Sequence, residues 1–208
     1  MKAPEGGHEA ASLDAAADRF FRFYNAQCIS PDEDTLFQFL NALHSLNDRM
    51  RAVSVNLFES PSFVGLKALR NLFHHHTELI HSVRIIPAHK APPLTTDLLV
   101  LCLVDRSLVE RAANLPRERD PEAVMNAFKW YGTIANIQPA IFNVAVDVFE
   151  QINEIGATPS SDAYRDFEAS YEYEEEEGHA HRVTGDIWCH ASSVDEVLRV
   201  LFHQQRTA

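Results

Sequence analysis

The residues best suited to chemistry lie in one stretch, Lys67 to His81, which reads Lys-Ala-Leu-Arg-Asn-Leu-Phe-His-His-His-Thr-Glu-Leu-Ile-His. An arginine stays charged and presents a planar fork of donors that matches phosphate oxygens. A histidine titrates near neutrality and can take up or release a proton. On one helix face such a stretch would gather a cation, an amide, a carboxylate and imidazoles, with Asn71 one helical turn before His75.

The stretch must be a helix for this spacing to work. At about 100° per residue, Leu66, Leu69, Leu72, Phe73, Leu79, Ile80 and Val83 share one side. Lys67, Arg70, Asn71, His74, His75, Glu78 and His81 share the other. A solvated face is usually built of Glu, Lys, Gln and Ala, so a face of imidazoles asks for another reason. His74, Glu78 and His81 flank the candidate site as supporting residues. His76 falls inside the apolar side and reads as a core histidine.

The run Arg70-Asn71-Leu72-Phe73-His74-His75 resembles the signature of the HEPN superfamily, in which Arg and His are separated by four to six residues and a polar residue often follows the Arg. The resemblance spans about residues 30 to 155 in architecture and these six in motif. It implies an all-α helical bundle with two long antiparallel helices, a homodimer with the motifs facing, and a metal-independent, cofactor-free endoribonuclease of toxin or defence type. Its partners would be RNA and an antitoxin protein. The chemistry it implies is attack of the RNA 2′-hydroxyl on the adjacent phosphate, which needs a proton acceptor, a proton donor and a cation for the charge that builds on phosphorus. Within the resemblance Arg70, Asn71 and His75 are the candidate catalytic residues: Arg70 takes the phosphate, His75 moves the proton and Asn71 orients His75.

Two other classes fit the same residues. His74, Glu78 and His81 at i, i+4 and i+7 have workable metal-ligand spacing, and Glu177, His179 and His181 offer further donors. A catalytically inert helical interaction module is the third, favoured by the absence of a basic RNA track.

The whole chain bounds these readings. Its 208 residues suffice for one domain with a sizeable core, and a net charge of −12 argues against a duplex-DNA coat or an anionic membrane partner. Three distant cysteines, Cys28, Cys102 and Cys189, suggest neither a disulfide framework nor a metal motif. The longest apolar run, Leu98 to Val104, is too short to span a bilayer, and a cytoplasmic protein without membrane association is expected.

In chain order, residues 1–11 read as a disordered N-terminus, 12–157 as the helical domain, and 158–208 as an acidic loop and C-terminal helix packed on that domain. Ser12 to Gln27 reads as the first helix. Ser30-Pro31-Asp32-Glu33 offers a capping box for a helix from Asp32 to Phe58. Ser60-Pro61-Ser62 opens the motif helix, which runs to about Ile85 and lies antiparallel to its predecessor. Thr96 to Leu115 reads as helix for want of a second strand to pair with it. Asp120-Pro121 starts a long helix to Ile152, kinked at Pro139. Turn signals fill Thr158 to Ala169, and Glu172 to Glu177 reads as a solvated loop. Ile187-Trp188 is a short apolar element, and Ser193 to Glu196 caps a last helix.

Overall fold

The structure, a computed structural model, describes residues 5–75, 83–91, 94–116, 118 and 120–202, with backbone alone for residues 5–10 and His75. Helix α1 (Glu5–Ile29) starts ahead of the expected Ser12, and its alanine-rich first half has high helix propensity. Its Phe20, Phe21 and Tyr24 are buried.

Helix α2 (Glu33–Ala52) is capped two residues later than Ser30. Asp32 Oδ1 accepts from Thr35 N at 2.7 Å, and Asp32 N donates to Thr35 Oγ1 at 3.0 Å. It ends well before Phe58 because Ser54 takes φ 64°, a left-handed turn that helices cannot continue through. Asn47 then gathers the descending chain by accepting from Leu57 N at 2.9 Å.

Helix α3 (Pro61–His75) carries the motif. Ser60 Oγ accepts from Phe63 N at 3.1 Å in its first turn. Phe37 faces His74 and Asn41 faces Arg70, so α2 and α3 are antiparallel neighbours. Leu43, Leu46, Met50, Leu69 and Phe73 are buried in one core; Ile80, expected with them, lies outside the described residues.

The chain is mostly helical but not all-α. Val83–Pro87, expected as the end of the motif helix, is strand β1. After β2 (Thr95–Thr96), strand β3 (Val100–Asp105) pairs antiparallel with β1, placing Ile85 opposite Cys102. Helix α4 (Arg106–Ala113) and the short α5 (Pro121–Asn126) follow. The expected long helix from Asp120 is interrupted by a hairpin, β4 (Lys129–Tyr131) and β5 (Ile134–Asn136), turning at Gly132 with φ 65°. The sheet order is β1-β3-β5-β4. Pro139 does not kink a helix; it sits in the first turn of α6 (Gln138–Glu154), where a missing N–H costs nothing.

The acidic run lies on helix α7 (Asp162–Glu176), with Ser161 accepting from Tyr164 N at 3.3 Å as its cap, where turns and a loop were expected. Strand β6 (Ile187–Trp188) pairs with β2. Helix α8 (Val194–Val197) continues into a π-helical turn, Leu198–Phe202, without the side-chain cap expected of Ser193.

Strand β3 is covered on both faces. Cys102 and Val104 enter the main helical core, while Leu101 and Leu103 join Ile134 under Val197, Leu201 and Phe202. A strand buried on both faces shows no polar alternation.

Two substitutions test this packing. Phe73→Ala should cost about 3–5 kcal/mol in denaturant unfolding. Gly65→Ala should destabilise rather than give the usual gain of about 1 kcal/mol for Gly→Ala in a helix. A Cβ there would lie 2.5 Å from Ala127 Cβ and 2.7 Å from Phe128 Cζ.

Candidate active site

Along α2, Phe37, Asn41, His44 and Asp48 stand at i, i+4, i+7 and i+11. Those positions fall within about 60° of one another on a helix. Along α3, Lys67, Arg70 and His74 form a second row. The two rows meet: Phe37 stacks on His74 with ring centroids 6.4 Å apart, and Arg70 Nε donates to Asn41 Oδ1 at 3.0 Å.

Arg70 is the best-defined member. A terminal nitrogen also donates to Asn71 Oδ1 at 3.3 Å. Both acceptors are neutral amide oxygens, so they orient the guanidinium without cancelling its charge. Partial burial pulls its pKa below the ordinary arginine value, while the Asp48 charge acts in the opposite direction. Among the described residues Arg70 has no carboxylate within ion-pair distance. Lys67, by contrast, is tied to Glu118 at 3.2 Å.

Asn71 turns its oxygen toward Arg70, so in this structure it positions the cation. His75 occupies the last position of α3; its side chain, and all of His76, Glu78 and His81, lie outside the described residues. His74 is exposed, on the same row as Arg70.

Three polar residues of the site, Asn41, His44 and Asp48, were not singled out by the motif. His44 Nδ1 is buried, without a hydrogen-bond partner among the described residues, and lies 3.7 Å from Asp48 Oδ2. Their signal was available as a polar stripe beside the buried α2 positions Leu36, Phe39, Leu43, Leu46 and Met50.

The metal spacing finds little here. His181 stacks on Tyr171 at 3.7 Å, and its Nδ1 lies 3.0 Å from Glu174 Oε2. Glu177 and His179 do not join it, and no group of three potential ligands assembles among the described residues. For His74, the proposed co-ligands Glu78 and His81 are beyond what is described.

No protein-family model matches the chain, no curated protein matches its sequence, and no solved structure matches its fold.

The Asn41–Arg70 contact should be energetically real. A double-mutant cycle with Asn41→Ala and Arg70→Met, read by urea unfolding, should give a coupling of about 1 kcal/mol, as expected for a part-exposed bond to a charged donor. A coupling of zero would mean that Asn41 does not hold the guanidinium.

Proposed function

We propose that the chain is a HEPN-type endoribonuclease that cleaves RNA by 2′-hydroxyl transesterification, without metal or cofactor. The observation that carries this reading is Arg70, oriented by two neutral amide oxygens in the last turns of α3, with its charge uncancelled by an ion pair among the described residues. A structural arginine is normally neutralised by a carboxylate; a phosphate-binding one is better held by uncharged acceptors.

In this reading a scissile phosphate docks on Arg70. One imidazole removes the 2′-hydroxyl proton, the oxygen attacks phosphorus, and the 5′-oxygen leaves with a proton from a second imidazole. The products are a 2′,3′-cyclic phosphate and a 5′-hydroxyl. His75 is one proton carrier, and His44, backed by Asp48, supplies the other. Asn71 and Asn41 keep the guanidinium aimed.

The net charge of −12 does not weigh evenly against RNA. From Asp162 onward there are eleven carboxylates against four arginines, and helix α7, which carries most of them, packs on α1 and, through Phe149, on α6. Arg49 and Arg51 lie in the last turn of α2. A homodimer that brings two motif faces together would double the local cation and enclose the strand. A cytoplasmic toxin or defence protein held by an antitoxin is the setting this chemistry fits.

Cleavage of a mixed RNA panel in EDTA, with cyclic-phosphate ends, is the expected result. His75→Ala should lose about 10²–10⁴-fold activity. Arg70→Lys should also be impaired, because a point charge cannot reproduce the planar fork. His44→Ala should also lower activity, by a factor in the range typical of a lost proton carrier. RNA left intact, or cleavage unchanged in His75→Ala, would overturn the assignment.

A further inference from the structure

Away from the α2–α3 face, α1, α6, α7 and the loop from Asp97 to Leu99 surround a cavity of about 460 Å³. That is within the range of small-molecule sites. Four aromatic rings line it, those of Tyr24, Phe142, Phe167 and Tyr171. Three carboxylates also contribute, from Asp97, Asp166 and Glu174, whereas no lysine or arginine among the described residues does.

The remaining polar groups point the same way. Cys28 and Tyr24 stay neutral at physiological pH, because burial raises both pKa values. The Glu174 charge reaches Tyr24 and raises it further. Gln138 forms part of the wall, is only 4% exposed, and its Oε1 has no hydrogen-bond partner among the described residues. An unpaired buried acceptor calls for a donor. Leu99 borders the cavity with 84% of its surface exposed, an apolar edge that a hydrophobic ligand would cover.

Aromatic faces with carboxylates and no lysine or arginine among the described lining residues are the surroundings that favour an organic ammonium group: the rings attract it by their quadrupoles, and it offers donors only. A phosphate or carboxylate ligand would meet like charge from Asp97, Asp166 and Glu174 with no lysine or arginine among the described lining residues to offset it, and the neighbouring His181 already faces Glu174 at 3.0 Å. We propose that this cavity binds a small arylalkyl ammonium compound, with the aryl group among the aromatic walls and the ammonium toward the carboxylates.

The test uses the full chain and three probes that share one ring and differ in the charge of the tail: tryptamine, tryptophol and indole-3-propionate. Tryptamine should saturate one site with a Kd below about 1 mM by calorimetry, a gain of roughly 4 kcal/mol or more on the usual scale. Tryptophol should bind about tenfold more weakly, and indole-3-propionate should not saturate. Asp166→Asn, at an exposed position, should weaken tryptamine several-fold and leave tryptophol unchanged. Ser170→Trp, also exposed and at the cavity wall, should fill the space and abolish binding while the circular dichroism stays unchanged. Equal affinity for the three probes, no saturation by tryptamine, or tryptamine binding that survives Ser170→Trp would each overturn the proposal. If Ser170→Trp misfolds, the Asp166→Asn comparison decides alone.

Discussion

The side-chain amide of Asn136 fastens the sheet to the helical body, and the position of the motif helix follows from it. Asn136 is fully buried. Its Oδ1 accepts from Cys102 N at 3.1 Å and from Gln138 N at 3.2 Å, joining the central strand β3 to the first turn of α6. Without that oxygen two buried N–H groups would lose their acceptor, at about 1–3 kcal/mol each. The Nδ2 of the same amide has no partner among the described residues, so the junction tolerates one unsatisfied donor to pair two backbone groups.

From this junction α6 runs beneath α3. Asp147 of α6 accepts from Ser60 Oγ, the same hydroxyl that caps α3, and also takes Arg182 at 2.8 Å. The start of the motif helix is therefore tied to α6, and its later turns are tied to α2 through Asn41 and Phe37. Gly65 permits the close approach of Ala127 and Phe128 on a third side. A helix held from three directions can present an arginine in one orientation with little rotamer entropy left to lose on ligand binding.

Legibility in the sequence followed how local the determining forces were. The helix pair α2–α3 showed itself through apolar periodicity and through Ser60-Pro61, and Arg70 through its place on the polar side. The capping of α2 moved by two residues because Asp32 and Thr35 form a reciprocal pair that outcompetes Ser30. The sheet was hidden for a physical reason. Its central strand is buried on both faces and reads as an unbroken apolar run, which periodicity cannot separate from a buried helix. Its partners are short, and one ends in Pro87. The α2 half of the candidate site, Asn41, His44 and Asp48, depended on which turn of α2 faces Arg70, a tertiary fact that spacing within α3 does not contain.

The covering of the sheet's outer face has a temporal side. Leu101, Leu103 and Ile134 are sealed by Val197, Leu201 and Phe202, and Arg84 reaches across to donate to the Leu201 carbonyl at 2.8 Å. On the ribosome all four strands emerge before any of these three sealing residues. The nascent sheet thus spends the later part of elongation with an apolar face open to solvent, as a client for holding chaperones and a seed for edge-to-edge association. The acidic helix α7 is the last long helix to emerge before the sealing residues arrive.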